Sequence, residues 1–330
     1  MNLNRDILRT RHRLSERQID DFLGEESANE SPQYRMREMQ RIGSFLEVAK
    51  KLKGEGIEFI NLKGPLLSQR IYGDPTYRYS RDYDILVEPS LVDQTIGLLQ
   101  KLGFDFLEFQ WPESPGRHKI ALHFINQVEM INPQTGVMIE VHWKLFSARI
   151  ADPKVIGKLL KQHTELTEFG GVFLKQLSGP LELFYLVVHG GIHAWFRLKW
   201  LVDIHEILTR NRPDLEAFRQ IVEQCSAQKL VDICNAVLHE FYPDDPELPG
   251  ADGSPQSLGK IAIEQCKHVS GDPHRTRRNT LKLLIYRARL FPYWRYKVDV
   301  SKVITFCKTD LKYPWLPASK PVYYLFRPVG

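Results

Sequence analysis

The sequence predicts an α+β protein in which a mixed α/β first half is followed by a mostly α-helical second half. Two observations support this prediction. Between residue 34 and about residue 150, short apolar runs typical of strands alternate with stretches of helical periodicity. Beyond that point, apolar residues recur mainly at threes and fours. We therefore expect a polar lead-in over 1–33, an α/β core over 34–150 and a helical C-terminal domain over 151–330.

The first elements of the core follow from apolar spacing and from the positions of glycine and proline. A helix is predicted from Tyr34 to about Lys53, and a buried strand over 57–62 comes next. Lys63-Gly64-Pro65 then introduces a second helix. A strand over 82–88 leads into a further helix, which Gly103 closes.

The remaining elements are a set of strands and then a set of helices. Strands are expected around 104–109, 118–125, 127–132 and 137–143, with the turn 132–136 joining the last two as a hairpin. Helices are expected over 180–195, 199–210, 214–226 and 228–241. The polar stretch 244–257 indicates a flexible connector inside the helical part.

The composition indicates a cytoplasmic globular protein. Its net charge of +5 suits a polyanionic substrate such as a nucleoside triphosphate (NTP) without requiring a nucleic-acid partner. No apolar stretch has the length of a signal-peptide core or a membrane span, so no membrane partner is expected. The oligomeric state is not indicated. The cysteines are too widely spaced for a tight metal site and are expected to be reduced thiols: Cys225, Cys234, Cys266 and Cys307.

A pair of carboxylates is the main chemical signal. Asp82 and Asp84 stand two apart at the start of a predicted strand, so their side chains project to one face. The strand over 137–143 offers Glu140 and His142 on one face in the same way. Three clustered acids repel one another unless cations neutralise them, and oxygen ligands suit Mg²⁺ or Mn²⁺. A D-x-D pair alone is weak evidence, because it is also common at a solvated strand end.

The ordered set of motifs resembles a known family. L-K-G at 62–64, R-Y-S-R-D-Y-D-I-L-V at 78–87 and E-V-H-W at 140–143 are similar to motifs of the bacterial family called uncharacterised nucleotidyltransferase. That family lies within the DNA polymerase beta-like superfamily, and the resemblance covers about residues 35–210. It implies a mixed sheet with flanking helices, followed by a mostly helical domain.

The resemblance also implies roles for the acids. Asp82 and Asp84 would bind two catalytic Mg²⁺ or Mn²⁺ ions, and Glu140 would be the third acid, which assists deprotonation of the acceptor hydroxyl. Two ions about 4 Å apart can activate the attacking oxygen and stabilise the leaving pyrophosphate. The substrate would be an NTP, with ATP the expected one.

One departure from the superfamily concerns the phosphate-binding turn. The usual G-G or G-S is Lys63-Gly64-Pro65 here, and Pro65 has no backbone N–H to donate to a phosphate. Gly64 can still let the backbone approach the phosphates. We therefore expect the nucleotide to be bound largely by side chains, namely Lys63, Arg78, Ser80 and Arg81, although each of these also fits an ordinary surface or ion-paired residue.

In the helical half, His189 and His193 stand four apart on one helical face. A zinc hydrolase would need a glutamate after the first histidine, where Gly190 stands instead. In the resembled family this pair recurs with Trp200 and Asp203 following. We expect it to serve domain packing and, together with His142, to border the active cleft.

The segment 274–297 is rich in lysine, arginine and aromatic residues. It fits a phosphate-rich acceptor such as an RNA end, but the leucines between the arginines favour a helix packed against the core. The aromatic, proline-rich tail is expected to pack as an extended strap.

The favoured function is metal-dependent transfer of a nucleoside monophosphate to an undetermined acceptor, with a small molecule or peptide favoured over RNA. Two alternatives stay open. A glycosyltransferase could use D-x-D to bind the metal of a sugar nucleotide, but only one βα unit precedes Asp82. A non-catalytic interaction protein, for example of the toxin–antitoxin type, could retain the fold, although the intact acids argue against it.

Overall fold

A computed structural model describes residues 3–26, 31–108, 111–112, 115–253, 256–268 and 277–305. Within these residues the strands form one mixed sheet in the order β3-β4-β5-β2-β1-β7-β6. The strands are β1 (Phe59–Asn61), β2 (Tyr83–Val87), β3 (Asp105–Phe106), β4 (Gln127–Ile131), β5 (Met138–His142), β6 (Thr164–Phe169) and β7 (Val172–Leu177). The mixed sheet with flanking helices confirms the predicted fold class.

Helices flank this sheet and form most of the second half of the chain. The first seven are α1 (Arg5–Thr10), α2 (Glu16–Leu23), α3 (Pro32–Gly54), α4 (Pro65–Tyr72), α5 (Val92–Lys101), α6 (Pro115–Phe124) and α7 (Pro153–Gln162). The others are α8 (Gly179–Ile192), α9 (Leu198–Glu206), α10 (Leu215–Gln224), α11 (Gln228–Phe241), α12 (Gln256–Lys267), α13 (Arg277–Arg289) and α14 (Trp294–Thr305). No helix among the described residues is long and apolar enough to cross a membrane.

The central strands separate two hydrophobic clusters. Tyr83, Ile85 and Val87 point into one cluster with α3 and α5, and Tyr83 stacks on Phe45 at 4.2 Å between ring centroids. Leu86 points the other way, into the cluster formed with the helical half. Because side chains alternate along a strand, Asp84 shares the face of Leu86. The acidic face of the sheet is therefore turned toward the helical half.

The N-terminal segment contributes to the core, which the prediction of a polar lead-in did not include. Ser15 and Gln18 form a capping box at the start of α2. Leu8, Leu14 and Ile19 are fully or almost fully buried. These three apolar residues are sparse among charged neighbours, so the composition alone did not indicate their packing.

The prediction of a strand over 118–125 was wrong, because this stretch belongs to α6. Side chains that follow β5 donate hydrogen bonds to the end of this helix. Trp143 Nε1 donates to the Leu122 carbonyl at 3.1 Å, and Lys144 Nζ donates to the carbonyls of His123 and Ile125. These bonds satisfy carbonyl groups that the last turn of a helix leaves unpaired. The short apolar run over 118–125 is therefore compatible with strand or helix periodicity, and tertiary contacts favour the helix.

The sheet continues past residue 150, into the half that we expected to be helical. β6 and β7 form a hairpin through Gly170 and Gly171, both at positive φ, and β7 pairs in parallel with β1. A side chain at Gly170 would lie 2.4 Å from Leu46 Cδ1 of α3, so the turn is packed closely against the core. The expected helices follow only after this hairpin.

The helical half agrees with the predicted helices. α8 is buried along most of its length, and α9, α10 and α11 pack around it. The loop before α12 is held by Asn235, which both donates to and accepts from the backbone of Leu248. The three described cysteines are buried free thiols, as expected: Cys225, Cys234 and Cys266.

The basic segment packs against this half through α13. Tyr286 is fully buried and donates to the Gly191 carbonyl at 2.9 Å, while Leu290 and Phe291 are also buried. This placement fits the packed-helix interpretation of the segment. Residues 274–276, Cys307 and the aromatic tail lie outside the described residues.

A buried ion pair connects the sheet to the helical half. Arg78 precedes β2 and donates from Nε and Nη2 to the two carboxylate oxygens of Asp203 on α9, at 2.7 and 2.8 Å. Arg78 is 4% exposed and Asp203 is 0% exposed. A second link is the Leu198 backbone N–H, which donates to His12 Nδ1 at 2.9 Å. Together these contacts connect the start and middle of α9 to the N-terminal segment and to the loop before β2.

The first prediction concerns this ion pair. Arg78→Ala should lower the free energy of unfolding by about 3–5 kcal/mol, because it leaves the buried Asp203 carboxylate without a partner. The double variant Arg78→Met/Asp203→Leu should be more stable than Arg78→Ala, since no charge is then buried alone. Urea unfolding measures both. Arg219→Ala, which breaks only exposed pairs, is the control and should leave stability nearly unchanged. An Arg78→Ala protein as stable as this control would contradict the argument.

The second prediction concerns pH. Burial, and secondarily the Arg11 charge, lower the pKa of His12 from 6.5 to about 4. The unfolded chain therefore binds a proton at a higher pH than the folded one, and stability falls as the pH drops from 6.5 toward 4. At pH 5 the loss should be on the order of 2 kcal/mol. His12→Asn keeps an acceptor for the Leu198 N–H and should remove this part of the acid sensitivity. Equal slopes in the two proteins between pH 7 and pH 5 would rule it out.

Candidate active site

The acid pair is positioned by two neighbouring parallel strands. The register of β2 with β5 places Asp84 directly opposite Glu140. Both side chains lie on the face turned toward the helical half, and Asp84 is 2% exposed. Parallel pairing brings together two carboxylates that lie far apart in the sequence. Two like charges opposite each other on a buried face repel unless nearby cations or hydrogen-bond donors offset them.

Three side chains around the pair supply that compensation. His142 Nε2 lies 3.0 Å from Asp84 Oδ1 and 3.3 Å from Glu140 Oε2, which places it between the two acids. Lys63 Nζ lies 3.2 Å from Asp84 Oδ1. Gln127 on β4 donates from Nε2 to Glu140 Oε2 at 2.7 Å. The acids are thus held by two potential cations and one neutral donor.

The pKa values of these groups follow from burial and from their mutual charges. Burial opposes ionisation of Asp84, but the charges of Lys63 and His142 outweigh it and hold the Asp84 pKa far below its usual value. Burial and the Asp84 charge raise the pKa of Glu140. Burial disfavours the charged forms of His142 and Lys63, but the carboxylates outweigh it and raise both pKa values. Asp84 is therefore ionised and neighboured by protonated groups at neutral pH.

The donor set fits a divalent cation. One ligand atom each of Asp84, Glu140 and His142 lies within 4.8 Å of the other two. Asp84 Oδ2 is buried and has no hydrogen-bond partner, a state that costs free energy unless a cation or another donor satisfies it. Asp82 is not part of this group. It precedes β2 and lines the same cleft, and its charge acts on both Lys63 and Glu140.

The turn Lys63-Gly64-Pro65 requires its glycine. Gly64 has φ 86° and ψ −148°, a combination that side chains other than hydrogen rarely allow. Pro65 then occupies the first position of α4, where a missing N–H is tolerated. The Leu62 N–H donates to the Asp84 carbonyl at 3.0 Å, which ties the turn to β2. Lys63 is thereby fixed beside Asp84.

The other residues expected to bind nucleotide occupy different environments. The Arg78 guanidinium is committed to Asp203 and also donates to Ser80 Oγ at 3.3 Å. Ser80 is buried and does not line the cleft, while its carbonyl accepts from Arg41. Arg81 is exposed and does line the cleft. Of this group, Lys63, Gly64 and Arg81 lie at the cleft surface beside the acids. Arg78 also lines the cleft, but its guanidinium is already bound to Asp203.

A ring cluster forms the opposite wall. The ring centroids of His189 and His193 lie 4.9 Å apart. The Trp200 ring centroid lies 5.1 Å from that of His189 and 5.3 Å from that of His193. Burial and the charge of Lys63 lower the pKa of His189 well below its usual value, so this ring is neutral. Neither histidine belongs to the group of described residues that could hold a metal ion. Both line the cleft, as does His142.

The two glycines after His189 explain how this wall is built. A side chain at Gly190 would lie 2.4 Å from the ring of Trp195, and one at Gly191 would lie 2.3 Å from Leu230 Cδ2. The glycines therefore allow Trp195 and α11 to pack directly against α8. Ala194 and Trp195 both have positive φ, at 50° and 54°, and turn the chain sharply into α9. This turn presents the following residues to the cleft.

The cleft between the two walls has a volume of about 560 Å³, which is within the range of small-molecule sites. Its lining is strongly basic. Seven lysine or arginine side chains face three carboxylates in the described lining: Arg13, Lys63, Arg78, Arg81, Arg197, Lys199 and Arg287 against Asp82, Asp84 and Glu140. Such a balance favours a polyanionic ligand.

Several lining residues were not identified from the sequence. Gln127 is one strand away from Glu140 and only the sheet pairing reveals their contact. Lys199 donates to the Tyr79 carbonyl, and burial together with Arg78 lowers its pKa well below the usual value. Tyr185 lies beneath Lys63, whose Nζ is 6.0 Å from the ring centroid. None of these residues stands in a motif with its partner, so only their tertiary positions show the link.

Comparison with known proteins agrees with this geometry. A family model described as uncharacterised nucleotidyltransferase matches residues 10–243. The match includes both acid-bearing strands, the Lys63-Gly64 turn and the ring cluster. A search of curated proteins finds no match. Since the family model spans more than two thirds of the 330 residues, the chain belongs to the family of uncharacterised nucleotidyltransferases, a family of transferases.

Proposed function

We propose that this protein transfers a nucleoside monophosphate group from an NTP, with ATP the expected donor, to a hydroxyl or phosphate of an acceptor, releasing pyrophosphate. The reaction would depend on Mg²⁺ or Mn²⁺. The observation that carries the proposal is Asp84, which is ionised and buried opposite Glu140, with one carboxylate oxygen that lacks a partner. It lies at the base of a basic cleft of suitable size.

Different residues of the chain would bind the metal ions, bind the phosphates and accept the proton. Asp84 and Glu140 would hold the divalent ions, with Asp82 at the edge of the same cleft. Bound ions would stabilise negative charge on the attacking and leaving oxygens. Lys63 and Arg81 lie on the acid-bearing side of the cleft and would bind phosphate oxygens. Gln127 and His142 both contact Glu140 Oε2 and orient this carboxylate for accepting a proton from the acceptor hydroxyl.

The sheet does not favour the glycosyltransferase alternative. Such an enzyme would place several parallel βα units ahead of its D-x-D motif. Here β1 and α4 are the sheet unit that precedes Asp82, and β1 runs antiparallel to β2. The acid pair instead depends on parallel pairing of β2 with β5.

The proposal is tested by following the label of the NTP. The protein, Mg²⁺ and a cell extract should transfer label from an NTP labelled at the α-phosphate to an acceptor. The same NTP labelled at the γ-phosphate should leave its label in pyrophosphate. Transfer of γ-label to the acceptor would identify a kinase instead and would refute the proposal.

The third prediction concerns Asp84. Asp84→Asn should abolish the rise in melting temperature that Mn²⁺ produces in the presence of NTP, because the ion loses its buried anionic ligand. Transfer of α-label should fall by roughly a thousandfold, corresponding to about 4 kcal/mol of lost charge stabilisation. Asp105→Asn, an exposed position on the edge strand β3, is the matched control and should respond as the wild type does. A metal response unchanged by Asp84→Asn would place the ion elsewhere.

The fourth prediction concerns the phosphate contacts. Lys63→Ala should weaken NTP binding at saturating Mg²⁺ by about tenfold or more, since it removes a cation fixed at the base of the cleft. Lys101→Ala, on the exposed last turn of α5, serves as control. Isothermal titration gives both affinities. If Lys63→Ala and Lys101→Ala bind NTP equally well, Lys63 neutralises the Asp84 charge and does not contact the nucleotide.

A further inference from the structure

Three arginines line the cleft from the N-terminal segment and the helical half. Arg13 follows α1, Arg197 precedes α9 and Arg287 lies on α13. The Leu198 N–H donates to His12 Nδ1, so the residues that neighbour Arg197 and Arg13 in the sequence are in contact. Arg287 Nε donates to the Ile192 carbonyl at 2.9 Å, which places it at the other end of the same turn. We call these three residues the arginine rim.

Two of the rim arginines, Arg13 and Arg287, differ in their electrostatics from the cations at the acidic wall. Lys63 is paired with Asp84, and Arg78 is paired with Asp203. Within the part of the chain that the structure describes, no carboxylate lies within ion-pair distance of Arg13 or Arg287. Arg287 is half-buried, and this burial lowers its pKa because the charge is partly desolvated. A partly buried guanidinium without a counterion is stabilised by an anionic ligand.

A series of ring contacts connects Lys63, beside the acid pair, with Arg197 of the rim. From Lys63, the path passes over Tyr185 at 6.0 Å and from that ring to His189 at a further 6.0 Å. His193 and Trp200 follow, and the Arg197 guanidinium lies over the rings of Phe196 and Trp200 at 5.0 and 5.9 Å. His189 is neutral and adds no charge to this path. Lys63 and Arg197 thus contact opposite ends of this series of rings.

We infer that the arginine rim binds a phosphate or carboxylate group of the acceptor, so that the acceptor is a small anionic molecule. This inference rests on the proposed function for the reaction and adds the class of the second substrate. Arginine guanidinium groups match both kinds of oxyanion with paired hydrogen bonds. Bound divalent ions would offset much of the charge of a triphosphate, which would leave Arg13 and Arg287 for a second anion. A cleft of about 560 Å³ can hold a nucleotide beside a small acceptor.

The test uses the full chain with Mg²⁺ and saturating α,β-methylene ATP, a donor analogue that cannot transfer its α-phosphoryl group. Glycerol 3-phosphate, glycerate and glycerol are then titrated and followed by calorimetry. We expect one or both charged probes to bind while the nucleotide analogue stays bound, and glycerol not to bind. Comparing the two charged probes shows which oxyanion the rim prefers.

Variants assign the binding to the rim. Arg287→Gln should weaken binding of the charged probe by about tenfold, the loss of one charge-assisted contact, and leave affinity for the nucleotide analogue within about twofold. Arg13→Gln, in a different part of the chain, should act in the same direction, which guards against a folding defect in one variant. Arg289→Gln is the matched control, because Arg289 is exposed on the same helix and does not line the cleft.

The outcomes separate this inference from the proposed function. If the charged probes displace the nucleotide analogue, the rim belongs to the triphosphate site and the inference is wrong while the function stands. Equal binding of glycerol, no binding of either anion, or equal loss in Arg289→Gln would also overturn it. If a single-stranded RNA binds in place of the small probes, with a steep salt dependence lost in Arg287→Gln, the acceptor is not a small molecule. Failure of the nucleotide analogue itself to bind would count against the proposed function.

Discussion

Two carboxylates on adjacent strands, Asp84 and Glu140, impose the constraint on which the site depends. Their parallel register places like charges opposite each other on a buried face, where water cannot screen them well. This repulsion is offset by a cationic or hydrogen-bonding side chain from each of three elements. They are Lys63 from the turn after β1, His142 from β5 and Gln127 from β4. One oxygen of Asp84 still has no partner. The site is therefore organised around negative charge that its own side chains do not fully satisfy.

The helical half provides the second wall, and buried contacts hold it in place. Arg78 and Asp203 connect the loop before β2 to α9 through two hydrogen bonds. The wall itself depends on Gly190 and Gly191, which let Trp195 and Leu230 approach the backbone of α8. The sharp turn through Ala194 and Trp195 is held by this packing, since Trp195 is fully buried. Backbone strain of this kind persists only where surrounding contacts determine it.

The cleft combines two kinds of surface, which under the proposed function would serve different parts of a bisubstrate reaction. The sheet side carries the acids and the cations nearest to them, which suit metal ions and phosphates. The helical side carries partly exposed rings and arginines such as Arg197 and Arg287, which suit a planar or oxyanionic group. Between them lies His189, whose burial keeps it neutral. Under the proposed function, donor and acceptor would occupy distinct places within one cavity.

The sequence by itself determined the main helices, the strands that carry the acids, and the motifs around Asp84, Glu140 and His189, because periodicity and short-range turn chemistry are local properties. It did not decide the β6–β7 hairpin beside β1 or the helical state of 118–125, since pairing partners and the donors that end α6 come from elsewhere in the chain. Only the tertiary structure placed Gln127 on Glu140, committed Arg78 to Asp203, and gathered Arg13, Arg197 and Arg287 at one rim. The reason is that a local pattern specifies which face a side chain occupies, whereas the charge it meets there depends on residues that only folding brings near.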